Sequence, residues 1–427
     1  MECTESGAGM TAFWRWWTAG AVSSAGTAVS AVALPLTALT VLDATPVEMG
    51  LIAAASYVAW LLIGMPAGVI VQRLPLRAAQ VGADLVRAAA VASIPVCWYF
   101  GVLTVAQLIA VALLVSLANV IFVVANATFF PMIVPPERLH ARNSLTSATE
   151  ASTQLGGPSV GGLLVQALGP VPTLLVDAVS YLASAAMLRT LPPRRAGAPD
   201  AAAPPMRAMI REGWRFVTRH PIMGPGMWTA TAVNFVCGAQ LALFPLYLVR
   251  DLHTPPGWAG ALLAVEGAGT LVGAALTPRF TARAGTARAL VVAAFVALLG
   301  AMIIPVGTAG AAYATFVLGN VVFAGGVVVL SVTTRTYRQL ASPPELLPRV
   351  VATVRFVSWG AIPVGGVLAG LIADAAGARV ALFAFAAATA LAPLALLRSP
   401  IRRLRDLDDY RVPDGFALSG ARPATVP

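Results

Sequence analysis

Residues 103–128 read LTVAQLIAVALLVSLANVIFVVANAT, a stretch without a single charged side chain. A helix rises about 1.5 Å per residue, so about 20 apolar residues suffice to cross the hydrocarbon core of a membrane. The stretch is therefore long enough to span a bilayer as one helix. Its Ala, Leu and Val content differs from the weakly alternating segments of about 10 residues that build outer-membrane barrels.

Eleven similar stretches account for most of the remaining chain. They lie at approximately 16–41, 50–71, 79–100, 144–168, 171–189, 222–249, 257–278, 287–306, 311–333, 350–373 and 378–397. The 427 residues are 58% hydrophobic and only 11% charged, whereas a soluble domain carries about 25% charged residues. The composition excludes a soluble globular protein, and the sequence predicts an all-α polytopic membrane protein with twelve transmembrane helices.

The cationic residues are all Arg, 28 in number, and they are distributed very unevenly. With the N-terminus inside, 24 of them fall on the cytoplasmic side, Arg87 and Arg355 lie within predicted spans, and only Arg250 and Arg379 fall on the other side. Cytoplasmic loops of membrane proteins are enriched in Arg and Lys. We therefore expect a multi-pass protein of the cell (inner or plasma) membrane with both termini in the cytoplasm. The same bias explains the basic composition without a nucleic-acid partner.

The two halves of the chain resemble each other in short matches that occur in the same order, at offsets of 208 to 211 residues. The matches pair Trp17-Thr-Ala-Gly-Ala-Val22 with Trp228-Thr-Ala-Thr-Ala-Val233, Pro35 with Pro245, Arg73 with Arg283, and Pro135-Pro-Glu137 with Pro343-Pro-Glu345. Parallel repeats of six helices are a construction typical of transporters. We expect an N-terminal six-helix bundle at 1–189, a linker at 190–220, a C-terminal six-helix bundle at 221–398 and a tail at 399–427.

An amphipathic helix is predicted within the linker. Arg recurs at every fourth position beside apolar residues, at Arg207, Arg211, Arg215 and Arg219, and at Met206, Ile210, Trp214 and Val217. This pattern is typical of a helix that lies on an anionic membrane surface. An ordinary solvated helix explains the pattern equally well.

Glycines spaced four residues apart occur in four of the predicted spans, the second, fifth, eighth and eleventh. The pairs are Gly64/Gly68, Gly157/Gly161, Gly269/Gly273 and Gly366/Gly370. Such glycines share one helix face and let helix backbones approach closely. Because the pairs follow the repeat, we expect them to mediate the contact between the two halves.

Two motifs resemble those of one transporter family. They are Gly157-Pro158-Ser159-Val160-Gly161-Gly162 in the fifth span and Arg355-Phe-Val-Ser-Trp359-Gly-Ala-Ile-Pro363-Val-Gly-Gly in the eleventh. The first is similar to the GPxxGG motif of antiporters, with Thr153 at the position of an earlier Gly. The chain thus resembles the major facilitator superfamily over roughly residues 14–398, and most closely its macrolide-efflux and enterobactin-exporter-like branch. The resemblance implies a fifth helix that seals the transport path; close packing is the alternative role.

The loop between the second and third spans is a poorer match to the family's gating motif. It keeps Gly68, Arg73 and Arg77, but Gln72 stands where the family has Asp, and Pro75 stands where it has a second Gly. In the family, that acidic residue helps to hold the halves in one facing state. The sequence therefore does not determine how this gate closes. The alternative role for Arg73 and Arg77 is to fix the orientation of the chain in the membrane.

Ionisable residues inside a membrane are rare and mark functional sites. Asp84 and Arg87 lie three residues apart on one helix, which predicts a structural ion pair. Glu266 lies about 13 Å into its span, near the middle of the bilayer. Its carboxyl group can bind a proton or a cationic substrate, and Glu150 and Asp177 are further candidates for this coupling role. For Asp177, a structural hydrogen bond is the stronger alternative.

Four Asn residues lie within predicted spans and are candidates to line a central cavity, namely Asn119, Asn126, Asn234 and Asn320. Hydrogen bonds between helices are the alternative role for them. Cys3, Cys97 and Cys237 are widely separated, and no His falls inside a predicted span. We therefore expect no metal site, no catalytic residues and no cofactor.

The residues and the resemblance together predict a secondary active transporter. We expect proton-coupled efflux of hydrophobic or amphiphilic small molecules, such as a drug, a macrolide or a siderophore, by alternating access. Its partners would be the small-molecule substrate, protons and membrane lipids, and we expect a monomer. An importer or facilitator of a small metabolite would share the fold. A membrane-embedded enzyme or scaffold is the less favoured alternative.

Overall fold

The computed structural model describes residues 2–64, 66–72, 74–134, 139–192, 206–343 and 346–410. The helices of the N-terminal half are α1 (Glu2–Thr40), α2 (Pro46–Ile63), α3 (Ala67–Gln72), α4 (Leu76–Tyr99), α5 (Val105–Phe129), α6 (Leu139–Leu168) and α7 (Pro170–Arg189). The linker contains α8 (Met206–Arg219). The helices of the C-terminal half are α9 (Met223–Leu246), α10 (Pro256–Leu263), α11 (Val265–Ala284), α12 (Thr286–Ile303), α13 (Ala312–Ala341), α14 (Leu347–Ala376), α15 (Ala378–Ala388) and α16 (Leu391–Leu397).

Eleven helical segments among the described residues are long and apolar enough to cross a membrane. The helix α6 completes the set of twelve; it is 30 residues long, and the polar residues of its first half make it less apolar. The predicted fold class, an all-α membrane protein with two six-helix bundles, is confirmed. The two sides of the bundle are called the linker side, where α8 lies, and the far side, opposite to it.

Three of the predicted spans are broken helices. The second span consists of α2 and α3, and Pro66 lies in the gap between them. The last span consists of α15 and α16, because Pro393 has no N–H group to donate to the carbonyl group of Thr389. The eighth span breaks at Ala264 between α10 and α11, where Gly267 and Gly269 follow closely and weaken the helix. Hydropathy alone does not reveal any of these breaks.

Several helices extend beyond the predicted apolar segments on the linker side. The tenth span was predicted at 311–333, whereas α13 continues to Ala341. The fifth span was predicted from residue 144, whereas α6 begins at Leu139. Hydropathy marks the part of a helix that lies in lipid, and a helix can continue into water beyond it. The predicted ends are therefore short by one to two turns.

Buried apolar side chains form a core that is shared on one side of the bundle and divided on the other. On the far side, one cluster contains residues from both halves, including Leu36 of α1 and Phe316 of α13. On the linker side, the N-terminal half has its own cluster around Phe129, and the C-terminal half has another around Leu290. In this state the halves are joined at the far side and have separate cores at the linker side.

Two glycine contacts join the halves near the far side. A Cβ atom on Gly50 of α2 would lie 2.5 Å from the carbonyl oxygen of Gly366 in α14, and one on Gly370 would lie 3.3 Å from the Cα atom of Gly50. On the opposite edge of the boundary, a Cβ atom on Gly260 of α10 would lie 2.3 Å from the Cα atom of Gly162 in α6. These helices approach so closely that only glycine fits.

The prediction that all four glycine pairs join the halves is only partly right. Gly366 and Gly370 do contact α2. Gly157 and Gly161 instead pack against α1, and Gly269 and Gly273 pack against α13, each pair within its own half. Spacing identifies a shared helix face, but it does not identify which neighbouring helix that face meets.

The residues after α16 fold back onto the linker side of the C-terminal half. The backbone N–H of Ala287 donates to the carbonyl oxygen of Arg405 at 3.0 Å, and the N–H of Thr286 donates to Oδ1 of Asp406 at 2.8 Å. Leu407 is 2% exposed. Residues 400–410 therefore cover the connection between α11 and α12. From the sequence alone, these residues are predicted only as part of a tail.

The two Arg residues that depart from the charge bias both have specific partners on the far side. Arg379 donates from Nε to the carbonyl oxygen of Pro305 and from Nη2 to that of Val306, both at 2.9 Å. Arg250 pairs with Asp43 of the other half at 2.7 Å. These contacts explain why cationic residues occur at these two positions.

Candidate functional site

Glu266 lies in the first turn of α11, directly after the break at Ala264. It is about ten residues from the far-side start of α10, which corresponds to about 15 Å along a helix. The sequence predicts a similar depth for Glu266, but within an unbroken helix at 257–278. Although it lies midway through the span, its side chain is exposed.

Two side chains from other helices lie near the Glu266 carboxylate. The hydroxyl group of Tyr57 on α2 and the thiol group of Cys237 on α9 are both close enough to interact electrostatically with it. Because α2 belongs to the N-terminal half, Glu266 faces the other half across the boundary. An exposed carboxylate in this position borders the space between the halves.

An aromatic contact joins the halves closer to the linker side. The rings of Trp60 on α2 and Trp359 on α14 meet edge to face, with centroids 5.2 Å apart. Counted along their helices, these residues lie about 21 Å and 25 Å from the far side, which is deeper than Glu266. The guanidinium group of Arg355 lies 5.2 Å from the centre of the Trp359 ring, and Pro363 is buried further along α14. Part of the predicted eleventh-span motif therefore lies at the boundary.

Asp84 and Arg87 form an ion pair on α4, as their spacing predicts. Their side chains are 0% and 3% exposed, and Ser184 of α7 donates a hydrogen bond to Oδ2 of Asp84 at 2.7 Å. The Arg87 guanidinium lies between the rings of Phe122 and Tyr181, at 4.3 and 4.5 Å from their centres. This cluster holds three helices of the N-terminal half together.

Asp177 lies in the same half and not at the boundary between the halves. It is 1% exposed and accepts a hydrogen bond from Oγ of Ser180 at 3.3 Å. A Cβ atom on Gly26 of α1 would lie 2.7 Å from Oδ1 of Asp177. Asp177 is therefore enclosed between α1 and α7, away from Glu266, and this position favours the structural role that the sequence analysis gives as the alternative.

The four candidate Asn residues lie in different environments. Asn119 accepts a hydrogen bond from Arg87 at 3.4 Å and so belongs to the buried ion-pair cluster. Asn320 is 1% exposed, and neither of its side-chain polar atoms has a hydrogen-bond partner among the described residues. It does not border an open space, contrary to the prediction. Asn126 and Asn234 are half-buried, so the cavity-lining role stays a prediction for them.

The glycine motif of the fifth span divides between two neighbours. A Cβ atom on Gly157 would lie 2.2 Å from the Cβ atom of Ala28, and one on Gly161 would lie 3.1 Å from the Cα atom of Val29, both on α1. Gly162 instead meets α10 of the other half. The helix α6 continues through Pro158 without a break. The motif thus packs α6 inside its own half and against the opposite half at once.

The predicted gating loop is only partly within the described residues. Arg77 donates from Nη1 to the carbonyl oxygen of Leu191 at 2.7 Å, which ties the start of α4 to the end of α7. Arg73 lies outside the described residues. The surroundings of Gly68 and the side chain of Glu150, in α3 and α6, also lie outside what is described. For Arg77, the structure shows a contact within the N-terminal half.

The residues predicted from the sequence do not include Tyr57, Trp60, Gly50 or Gly260. Gly50 and Gly260 stand 210 positions apart, which is the offset of the internal repeat, so the repeat could have identified them. Tyr57 and Trp60 are aromatic residues in an apolar helix, and nothing in a single sequence distinguishes them from core residues. Their significance depends on which helix of the other half they meet.

In the described part of the boundary, the site combines the carboxyl group of Glu266 with the aromatic rings of Trp60 and Trp359 and the guanidinium group of Arg355. Within the described ranges, no group of three or more His, Cys, Asp or Glu side chains could hold a metal ion. The arrangement can exchange one proton at Glu266 or pair its carboxylate with a cationic group, while aromatic rings contact an apolar ligand.

Comparison with known proteins assigns the whole chain to one family. The model of a family described as transmembrane secretion effector matches residues 8–413. The multidrug efflux pump Tap of Mycolicibacterium fortuitum is 29% identical over 406 residues, which cover 91% of this chain and 95% of Tap. Tap of Mycobacterium tuberculosis is also 29% identical, over 91% of this chain and 92% of its own.

Solved structures share the fold at low sequence identity. A variant of the nucleoside transporter NupG has a TM-score of 0.74 and 11% identity, over 90% of this chain and 99% of its own. A bacterial homologue of the iron transporter ferroportin, at 15% identity and with 98% of its chain covered, was solved in two states. Its inward-facing structure has a TM-score of 0.71 over 91% of this chain, and its outward-facing structure, soaked with iron, has 0.58 over 90%.

Proposed function

Since the chain belongs to the transmembrane secretion effector family of the major facilitator superfamily, and is therefore a membrane transporter, we propose that it exports hydrophobic or amphiphilic small molecules in exchange for protons. The direction and the substrate class are supported by the relatives named multidrug efflux pumps. The proposal assigns no catalytic step to the chain. An importer would share the fold, but the nucleoside transporter is only 11% identical and lends that alternative little support.

The observation that carries the proposed mechanism is the position of Glu266 relative to the divided core. The halves share one core on the far side and have separate cores on the linker side. Glu266 borders the space between them. An arrangement of this kind is one state of an alternating-access cycle, in which the two bundles rock about a central site. The TM-score is higher against the inward-facing structure of the ferroportin homologue than against its outward-facing structure, which supports an inward-facing state.

The bias of the Arg residues orients this state in the membrane. Because cytoplasmic segments are enriched in Arg, we place the linker side and both termini in the cytoplasm, with the protein in the cell membrane. Glu266 then exchanges protons and substrate with the cytoplasm in this state. After the halves rock, it faces the exterior.

Coupling requires that protonation of Glu266 favours one state over the other, because a proton with equal affinity for both states cannot drive the cycle. Tyr57 belongs to the half opposite Glu266, so the rocking motion changes the distance between them. The surroundings of the carboxylate, and with them its proton affinity, therefore differ between the two states. Inward flow of one proton supplies about 2.3 kcal/mol per 100 mV of membrane potential, and an amphiphilic cation can occupy the deprotonated site.

Proteoliposomes that contain the purified protein and an imposed pH gradient test this proposal, with ethidium as an amphiphilic cationic probe. Glu266→Gln should abolish the part of ethidium transport that a protonophore inhibits. Glu48→Gln is the matched control, because Glu48 is half-buried in the first turn of α2 on the far side, where it accepts a hydrogen bond from the Thr45 backbone. Ethidium transport by the Glu48→Gln variant should stay within about twofold of transport by the unmodified protein.

Glu150→Gln is measured in parallel, since Glu150 is the second candidate carboxylate on a helix at the boundary. Full protonophore-sensitive transport by both Glu266→Gln and Glu150→Gln would refute carboxylate coupling. The direction is tested separately in cells. Expression of the protein should lower the ethidium content of the cells, and a higher content would favour the importer.

A further inference from the structure

The linker helix α8 has two different faces besides its solvent face. One face packs against the C-terminal half: Phe216 and Val217 are 8% and 0% exposed, and a Cβ atom on Gly213 would lie 2.8 Å from Oγ1 of Thr353 on α14. An ion pair between Glu212 and Arg349 adds to this contact. Of the apolar stripe predicted from the sequence, Val217 lies in this buried face, whereas Ile210 and Trp214 do not.

The second face carries Arg207, Ile210, Arg211 and Trp214, which share one side of the helix by their spacing. Ile210 and Trp214 are 36% and 43% exposed, so this part of the apolar stripe is not used for packing inside the protein. Neither Arg207 nor Arg211 forms an ion pair with a residue of the described ranges. The face therefore combines two cationic groups with two exposed apolar side chains.

A cleft lies between this face and α14. Its volume is about 270 Å³, and it is lined by Arg207, Ile210, Arg211, Trp214, Thr353 and Phe356. The stretch of α14 that is long and apolar enough to cross a membrane begins at Arg349, so Thr353 and Phe356 lie about 6 Å and 10 Å along it. The cleft consequently extends from the level of the lipid headgroups to the start of the acyl chains.

We propose that this cleft binds one anionic phospholipid from the leaflet on the linker side. The two guanidinium groups match the geometry and charge of a phosphodiester, since Arg forms paired hydrogen bonds with phosphate oxygens. The indole ring of Trp214 suits the interface between water and lipid. Ile210 and Phe356 provide the apolar wall that a soluble anion would not need.

The lipid would bridge two parts of the molecule. It contacts α8 through the Arg residues and α14 through Phe356, and α14 is the helix of the C-terminal half that packs against α2. The occupancy of the cleft would therefore reinforce the docking of the linker on a helix that borders the other half. This inference does not depend on the transported substrate or on proton coupling.

Native mass spectrometry of the full-length protein in detergent tests the proposal, with phosphatidylglycerol and phosphatidylcholine as probes. The unmodified protein should retain phosphatidylglycerol in preference to phosphatidylcholine. An Arg residue near a lipid headgroup strengthens binding about fivefold, so Arg207→Gln/Arg211→Gln should weaken phosphatidylglycerol binding about 25-fold. Arg215→Gln/Arg219→Gln is the matched control; it removes the same charge from the same helix outside the cleft and should change binding less than about threefold.

Four outcomes would overturn the proposal. Equal losses of phosphatidylglycerol binding in both double variants would indicate a general attraction between charges. No loss of binding in either double variant would place the lipid elsewhere. Displacement of the lipid by an excess of inorganic phosphate would indicate a site for soluble anions. Phe356→Ala is an independent test that leaves the charge of the protein unchanged. Phosphatidylglycerol binding should fall several-fold in this variant. Unchanged binding would also refute the proposed cleft.

Discussion

Gly162 of α6 and Gly260 of α10 face each other so closely that a Cβ atom on Gly260 would lie 2.3 Å from the Cα atom of Gly162. The contact between Gly50 and Gly370 at the other edge is its counterpart, because Gly50 corresponds to Gly260 and Gly162 to Gly370 at the offsets of the repeat. The internal repeat thus produces two equivalent glycine contacts, which close the far side symmetrically.

Gly260→Ala should open the far side. The added methyl group meets backbone atoms of Gly162, which cannot rotate away, so the two halves must separate there. A reporter cysteine at Ala259, which is 0% exposed, can be introduced after the native cysteines are replaced. We expect maleimide to label it several-fold faster in Gly260→Ala protein in detergent.

Gly82→Ala serves as the control for this measurement, because no atom lies within 4 Å of the position that its Cβ atom would take. It should leave the labelling rate unchanged. An unchanged rate in Gly260→Ala as well would mean that the far side adapts to the methyl group without opening.

Removal of the ion pair between Arg250 and Asp43 should also favour opening of the far side. Arg250 donates to Oδ1 of Asp43 at 2.7 Å and to the carbonyl oxygen of Ala44 at 2.8 Å, which both belong to the other half. An exposed pair contributes little, so labelling of the Ala259 reporter should rise about two- to fivefold in Arg250→Gln and less in Asp43→Asn. Arg379→Gln breaks contacts within the C-terminal half only. An equal rise in that variant would contradict a specific role for Arg250.

The fold could be predicted from the sequence because hydropathy and repeat offset each respond to a strong physical constraint. A helix in lipid must be apolar for about 20 residues, and this requirement made the twelve spans visible. The break at Ala264 was not visible, since no proline follows it within one turn. The docking of residues 400–410 depends on the buried side chain of Leu407 and on hydrogen bonds to a distant loop, which local sequence does not encode.

The sequence predicts only those residues of the candidate site that are unusual by their own residue type. Glu266 stands out because a carboxyl group in a membrane is costly. Its neighbours Tyr57 and Cys237 are ordinary residues of apolar helices and become relevant only when α2 and α9 are placed beside α11. The same limit explains why Asn320, which looks suitable for a cavity, lies in the packed interior of the C-terminal half.

The ion pair on α4 should prove structural and not part of transport. Asp84→Asn leaves the buried Arg87 guanidinium without its counter-charge, which costs about 3–5 kcal/mol. A large drop in the melting temperature of the detergent-solubilised protein should follow. Ser184→Ala removes a single hydrogen bond to the buried Asp84 carboxylate and should cost less, about 1.5–3 kcal/mol. A normal melting temperature together with lost transport in Asp84→Asn would instead assign the pair to the transport cycle.

The stability of the junction between α8 and α9 should depend on the neutral form of His220. Its Nδ1 accepts hydrogen bonds from the backbone N–H groups of Ile222 and Met223, at 3.1 and 3.2 Å, and burial lowers the pKa of His220 to about 4. This folded-state pKa lies below the value of about 6.5 in an unfolded chain. The stabilisation of the fold by neutral His220 is therefore complete above pH 6.5. As the pH falls towards 4, up to about 3 kcal/mol of this stabilisation is lost.

His220→Asn should remove this dependence on pH. An Asn side chain can accept the same backbone hydrogen bonds through its oxygen but does not titrate, so the melting temperature should fall less between pH 7 and pH 4.5 than in the unmodified protein. His253→Asn is the matched control, because His253 is exposed on the far side and has a φ of 52°, which Asn tolerates. The control should keep the full pH dependence. If His220→Asn kept it too, the acid sensitivity would have to arise from carboxyl groups elsewhere in the protein.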